Sequence, residues 1–256
     1  MVRASEQKRD NVKARREEWQ EQQKTMEREH LVFLDESGVN LNMTRRYGRA
    51  VGKKRIYDYV PLKTPKNTTL LSSIRLENAS MVHKELTGAV NGETFLEYIR
   101  NALAPTLKAG DIVIMDNLSV HKVAGVRQAI EEKGASVLYL PPYSPDLNPI
   151  EMLWSKIKAF LRKRKARETA LLANAISEAY AAVSCEDILG WFSAAGYVHS
   201  FLELLYYNYL QDDNIPAKHL QSLRQPHWKK LLLQQQIRYY NSAQMSLSRN
   251  PHLQSQ

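Results

Sequence analysis

One proline-rich stretch constrains the fold of this chain more than any other feature. Residues 140–154 read L-P-P-Y-S-P-D-L-N-P-I-E-M-L-W, with four prolines within nine residues. Because proline fixes φ and restricts the residue before it, the stretch predicts a rigid loop rather than a helix or a central strand. Asn148 is placed to cap a helix whose first residue is Pro149, which puts Glu151 in the first turn. Taken alone, Glu151 is best explained as an acid favoured by the helix dipole.

The composition narrows the class of protein. The chain has 256 residues and a formal net charge of +9, which favours an anionic partner, with nucleic acid first. Cys185 is the single cysteine, so an intrachain disulfide is excluded and a cysteine-based zinc site is disfavoured. No apolar run approaches the roughly 18 residues of a membrane span, and the N-terminus has no hydrophobic signal core, so no export is predicted.

The two ends of the chain differ in amino-acid composition from its middle. Residues 1–30 are polar, with acids and bases at helical spacings, and predict a linker-like helix anchored by Trp19. This helix either connects to a preceding segment or packs on the flank of the domain, and a solvated helix is the favoured interpretation. Residues 198–256 are rich in Tyr, Gln and Leu, which predicts an atypical tail of short helices with a disordered end.

The middle of the chain, residues 31–197, changes from strands to alternating strands and helices. Apolar and β-branched runs predict an antiparallel meander, then helix, strand, helix and strand, and this order defines an α/β fold with a right-handed parallel βαβ unit. The predicted strands are 31–34, closed by Ser37-Gly38, and 68–76, 81–86, 111–115 and 136–140. The predicted helices are 91–107, 120–133, one that carries Glu151, 168–183 and 185–195.

Three acids follow strands in this arrangement. Asp35 and Asp116 end two strands, and Glu151 follows a third through the proline loop. Functional groups of open α/β sheets gather beyond the carboxyl ends of strands. Carboxylates brought together repel unless a cation holds them, and hard oxygen ligands suit Mg²⁺ or Mn²⁺. Two such ions roughly 4 Å apart support in-line phosphoryl transfer. Glu36 faces the other side of its strand and is predicted not to be a ligand.

Further residues are candidates for support and for DNA binding. Asn117 and His121 follow Asp116 and are placed to orient a ligand; the alternatives are a turn asparagine and an exposed histidine. Asn148 is a third supporting candidate. Basic residues interleaved with tyrosines predict either a hairpin on a phosphate backbone or a plain solvated hairpin, and a cationic helix follows Glu151. The candidate DNA-binding residues are Arg45, Arg46, Arg49, Lys53, Lys54, Lys156, Lys158, Arg162 and Lys163.

Other chemistries fit the sequence less well. The chain has no G-x-S-x-G elbow and no Walker-type phosphate loop. Cys185 has no histidine near it in sequence, which argues against a thiol nucleophile. Paired carboxylates also serve glycosidases, but the basic charge balance argues against that class.

Three motifs carry a family resemblance. The segments F-L-D-E-S-G (33–38), I-V-I-M-D-N-L-S-V-H-K (112–122) and the proline stretch (140–154) resemble the DDE endonuclease domain of bacterial insertion-sequence transposases of the IS-six-thirty type. These enzymes are relatives of the mariner-like transposases, and the likeness covers residues 5–197. The resemblance implies an RNase H-like, retroviral integrase-like fold for residues 31–197. It implies that Asp35, Asp116 and Glu151 are the metal-binding catalytic acids.

The resemblance also implies an activity. We expect the domain to use two ions of Mg²⁺ or Mn²⁺. With them it would nick double-stranded DNA at element ends and transfer the strand into target DNA, commonly at TA. The expected assembly is a homodimer on DNA in the bacterial cytoplasm, with a separate or fused upstream helix-turn-helix chain that reads the ends. Two alternatives stay open: a remnant that binds DNA or partner chains without cutting, and another RNase H-like nuclease. The proline loop argues against the second.

Overall fold

A mixed five-stranded sheet forms the centre of the described domain. The computed structural model describes residues 4–45, 47–52, 54–63 and 67–197, which belong to one compact unit spanning Met1–Tyr197. The strand order is β3-β2-β1-β4-β5, so the predicted meander and parallel βαβ unit are confirmed. The strands are β1 (Leu31–Val39), β2 (Thr68–Arg75), β3 (Met81–Thr87), β4 (Ile112–Met115) and β5 (Ser136–Tyr139).

The first strand is longer than predicted, and this affects Asp35. Antiparallel pairing with β2 runs along all of β1 to Val39, with Asp35 opposite Ser72, so Ser37-Gly38 does not end the strand. Parallel pairing with β4 stops at Phe33. Asp35 therefore lies within the strand on its β2 side but beyond the last pair on its β4 side, at the edge where Asp116 follows β4.

Helices cover both faces of the sheet. Alternate residues of β1 point to opposite faces, so Val32 and Leu34 join one core with Phe95, whereas Phe33 packs edge-on against Phe192 with ring centroids 5.3 Å apart. None of the described helices is long and apolar enough to cross a membrane. The helices are α1 (Asp10–Gln23), α2 (Gly92–Tyr98, continued by a π-helical turn Ile99–Leu103), α3 (Val126–Glu131), α4 (Ile150–Arg164), α5 (Thr169–Ala181) and α6 (Cys185–Ala194).

One predicted helix start and one predicted helix cap are wrong. The helix predicted from residue 120 begins at Val126, because residues 119–122 form a 3-10 turn and Gly125 has φ of 92°. At α4 the capping position is taken by Pro149 instead of Asn148, and no side-chain hydrogen bond caps this helix in the described part of the chain. Pro149 itself has helical dihedral angles, so it starts the first turn without a cap.

The polar N-terminal helix packs on the domain. Trp19 is 5% exposed and Val12 is 4% exposed, so Trp19 is an anchor as predicted. Trp19 Nε1 donates a hydrogen bond of 3.1 Å to the hydroxyl of Tyr197. Most residues of α1 are exposed, as favoured for a solvated helix, while Val12, Trp19 and Gln23 pack the helix on the domain.

The described residues of the basic segment between β1 and β2 do not form the predicted hairpin. Its described residues form turns and irregular backbone with no strand, and Tyr47 is 90% exposed. Arg167 holds the segment by donating to the carbonyls of Leu41 and Met43 at 2.7 and 2.9 Å. The predictions made for Arg46, Lys53 and residues 198–256 lie outside the described residues.

Candidate active site

A pocket at the carboxyl edge of the sheet brings together the three predicted acids. β1 supplies Asp35, the segment after β4 supplies Asp116, and the first turn of α4 supplies Glu151. Asn117 and Asn148 also line this pocket. The proline loop forms one wall through Leu140, Pro141, Pro142, Tyr143, Ser144 and Pro145.

Asp35 is the most buried of the three acids. It is 9% exposed, and Trp154 Nε1 donates a 3.0 Å hydrogen bond to its Oδ2. Burial, with smaller contributions from the negative charges of Glu36 and Glu151, raises the pKa of Asp35 to about 7 against the opposing effect of the Trp154 hydrogen bond. A cation bound beside Asp35 would favour its ionised form, because an opposite charge nearby lowers the pKa of a carboxyl group.

Asp116 is held by a buried histidine. His121 Nδ1 lies 2.7 Å from Asp116 Oδ1, and its Nε2 lies 3.0 Å from Glu36 Oε2. The ring packs on Phe95 with centroids 4.6 Å apart and is fully buried, so the alternative of an exposed histidine is wrong. Burial lowers the pKa of His121, but the hydrogen bonds to Asp116 and Glu36 outweigh it and raise the pKa to about 10.

Glu36 is the residue that sequence reasoning missed. Its side chain lies on the face of β1 opposite Asp35, as predicted, and it is not among the residues that line the pocket. It nevertheless contributes to the site, because it binds the nitrogen of His121 that Asp116 leaves free. The sequence signal for this contact is His121, five residues after Asp116. An imidazole placed between two strands needs a hydrogen-bond partner for each of its two ring nitrogens.

Glu151 points out of a helix whose opposite face is apolar. Ile150, Leu153 and Trp154 are buried, so Glu151 in the same turn remains toward the pocket. Burial raises the pKa of Glu151, the Lys158 charge lowers it, and the Asp116 charge raises it. Glu151 therefore shares one electrostatic field with both aspartates.

Asn148 does not have its predicted role as a helix cap. Its side chain is 4% exposed, and its Oδ1 has no hydrogen-bond partner among the described residues. Its backbone carbonyl accepts from the amide of Glu151 at 3.2 Å, which ties the end of the proline loop to the first turn of α4.

The three acids suit a divalent cation in ligand type. All are hard oxygen donors on one pocket, and the charge of Glu151 raises the pKa of Asp35 while the charge of Asp116 raises the pKa of Glu151. Among the described residues, no group of three or more acids, histidines or cysteines stands close enough to hold a metal as positioned.

The candidate DNA-binding residues divide into distinct environments. Arg45, Arg162 and Lys163 surround one depression beside Tyr47. Lys158 lies in the field of Glu151, and Lys156 pairs with Asp187, so these two are engaged with acids. Arg49 and Lys54 are exposed on the irregular segment between β1 and β2.

The fold and the acid pocket define a class of protein. The family model described as DDE superfamily endonuclease matches residues 30–172, more than half of the chain, so the chain belongs to this family. No curated protein sequence matches the chain.

Solved structures of Mos1 transposase are similar in fold. A paired-end complex with the left transposon end aligns with a TM-score of 0.64 and 20% identity over 76% of this chain and 60% of that chain. The catalytic domain of Mos1 mariner transposase aligns with a TM-score of 0.55 and 18% identity over 77% and 94%. The predicted RNase H-like fold is thereby confirmed. The chain spans about 60% of the length of the longer Mos1 chains.

Proposed function

We propose that this chain is the catalytic domain of a DNA transposase of the insertion-sequence type, which cuts transposon ends and joins them to target DNA with Mg²⁺ or Mn²⁺. The observation that carries the proposal is the convergence of Asp35, Asp116 and Glu151 on one pocket of a DDE endonuclease. The similar Mos1 structures include paired-end complexes with Mn and with Mg and a strand transfer complex.

Each acid has a defined part in this proposal. Asp35, Asp116 and Glu151 would hold the cation, and a bound divalent ion supplies Lewis acidity and neutralises charge that develops on phosphate oxygens. Trp154 fixes the orientation of Asp35 by its 3.0 Å hydrogen bond. His121 places a positive charge between Asp116 and Glu36, which limits repulsion within the site.

The substrate proposed is double-stranded DNA. The depression formed by Arg45, Arg162 and Lys163 beside Tyr47 offers cations and an aromatic face, which suit a phosphate backbone. We propose that the domain works as a homodimer on DNA, with end recognition by an upstream helix-turn-helix region, fused or separate. Base-specific readout is assigned to that region because phosphate contacts carry no sequence information.

A strand-transfer assay tests the proposed function. A labelled duplex that ends in a free 3′-hydroxyl, taken from DNA flanking the gene, is incubated with supercoiled plasmid and Mn²⁺. We expect labelled joint molecules from the wild-type chain and none from Asp116→Ala, with both folded by circular dichroism. Cleavage without joining would support a nuclease instead. DNA binding without either product, also after the upstream reading frame is fused to the chain, would support a non-cutting remnant.

A further inference from the structure

Helix α1 contacts the proline loop through a partly buried arginine. Arg16 Nη1 donates to Ser144 Oγ at 2.7 Å and to Asp146 Oδ1 at 2.9 Å, and Nη2 donates to Asp146 Oδ2 at 2.7 Å. The side chain of Arg16 is 13% exposed. A bidentate guanidinium–carboxylate pair with this burial fixes both distance and orientation between its two elements.

Two further contacts join the same two elements. Gln7, in the turn before α1, donates from Nε2 to the carbonyl of Tyr143 at 2.5 Å. Tyr197, which accepts from Trp19 of α1, donates to the carbonyl of Leu147 at 2.9 Å. The α1 region thus holds the loop directly or through Tyr197 at residues 143, 144, 146 and 147.

The loop depends on contacts of this kind because its prolines have no N–H to donate. Its own hydrogen bonds between described residues are three: Ser144 Oγ to the Pro142 carbonyl, the Leu147 amide to the Ser144 carbonyl, and the Asn148 amide to the Pro145 carbonyl, each at 3.1 Å. Tyr143 also has φ of 55°, a left-handed conformation that is costly for a residue with a side chain. External support is what holds such a loop in one shape.

The supported loop is a wall of the acid pocket. Tyr143, Ser144 and Pro145 line the pocket together with Asn148, whose carbonyl accepts from the Glu151 amide. A displacement of residues 143–148 therefore moves the first turn of α4 and Glu151 with it. Arg16 itself is not among the residues that line the pocket.

We propose that Arg16 is a positioning residue for the phosphoryl-transfer reaction, acting through Asp146 and Ser144 on the placement of Glu151. This inference rests on the proposed function. It assigns to α1 a role in catalysis although the helix contributes no group to the pocket that holds the acids.

Substitution of Arg16 tests the proposal. Mn²⁺-dependent plasmid nicking and Mn²⁺ affinity by calorimetry are measured for the wild-type chain, Arg16→Ala and Lys13→Ala, the last removing an exposed pair with Glu17 on the same helix. We expect Arg16→Ala to lower kcat on the order of 10- to 100-fold and to weaken Mn²⁺ binding, with KM for DNA unchanged. Lys13→Ala should match the wild type.

A charge exchange separates positioning from loss of folding. The double variant Arg16→Asp with Asp146→Arg should recover kcat relative to Arg16→Ala, and Asp146→Asn, which keeps the shape of the loop, should lose it. A raised KM with unchanged kcat in Arg16→Ala would make Arg16 a DNA contact and overturn the proposal, as would wild-type Mn²⁺ affinity. Absence of nicking by the wild-type chain would overturn the proposed function itself, whereas wild-type nicking matched by Arg16→Ala would overturn this inference alone.

Discussion

Asp35 is an acid in a place that favours its protonated form. Its pKa is raised to about 7 by burial and by neighbouring acids, whereas in the unfolded chain it ionises near the ordinary value of 3.8. Between those values the folded state holds a proton that the unfolded state has released. The free energy of unfolding of the metal-free protein should therefore fall as pH rises from about 4 to 7, by up to roughly 1.4 kcal/mol per pH unit.

Urea unfolding in EDTA at pH 4.5, 5.5 and 6.5 measures this dependence. Asp35→Asn should reduce the fall in the free energy of unfolding with pH. The raised pKa of Glu151 should leave a smaller fall of the same sign. Glu18→Gln, at an exposed position of α1, is the control and should keep the wild-type slope. An unchanged slope in Asp35→Asn would show that Asp35 is ionised in the folded state.

His121 should contribute stability with the opposite pH dependence. Its pKa is raised to about 10, so its contribution is fully present below pH 6.5 and is lost as pH rises through 10. His121→Gln leaves Asp116 and Glu36 without their cation, and we expect a loss of about 3 kcal/mol at pH 6, the low side for a broken buried pair because Asp116 is 40% exposed.

The difference in unfolding free energy between the wild type and His121→Gln should shrink from pH 6 to pH 10. His83→Gln serves as the control, because burial lowers the pKa of His83 and so disfavours the charged form of this imidazole. A His121 difference that stays constant with pH would contradict the assignment of a charged imidazole.

At the scale of elements, β4 is fixed at the end opposite to the pocket. Asp111, just before β4, is fully buried and accepts from Arg75 Nη1 and Nη2 at 3.0 and 2.9 Å, and from the Lys108 amide at 2.8 Å. Asp111→Ala should cost about 3–5 kcal/mol in urea unfolding, because the buried Arg75 would keep only the part-exposed Glu77 as an acidic partner.

The same change should leave the chemistry of the folded fraction intact, since Asp116 lies beyond the other end of β4. Nicking per folded molecule is the measurement, and a loss of kcat there would mean that β4 transmits strain along its length. Glu97→Ala, which breaks an exposed pair with Lys84, should cost less than about 1 kcal/mol.

The elements that sequence reasoning placed well are those with local signals. Alternation and β-branched runs located the strands, and the proline stretch located the loop before α4. The elements it misplaced depend on distant side chains. The turn at residues 119–122 follows from His121 meeting Asp116 and Glu36, and the segment between β1 and β2 takes its path from Arg167, which belongs to the connection after α4.

For the whole molecule, the convergence of the acids could be predicted and the support around them could not. Asp35, Asp116 and Glu151 follow from strand order, because the carboxyl ends of neighbouring strands share an edge. The packing of α1 against the proline loop could not be predicted from an apolar pattern. The contacts to the loop are mainly polar, through Arg16 of α1 and Gln7 in the turn before it. Polar long-range pairs have no periodicity in sequence.

Nicking of supercoiled plasmid as Mn²⁺ is titrated tests directly whether Asp35, Asp116 and Glu151 form a metal-dependent catalytic site. Glu151→Gln is measured beside the wild-type chain, with Glu186→Gln as an exposed-acid control. We predict that nicking by the wild type and by the control rises with Mn²⁺ and stops with EDTA. In Glu151→Gln the nicking rate should fall by a factor on the order of 100 or more, because a ligand of the metal ion is lost. Nicking that persists in EDTA, or in Glu151→Gln at the wild-type rate, would contradict the assignment of these acids.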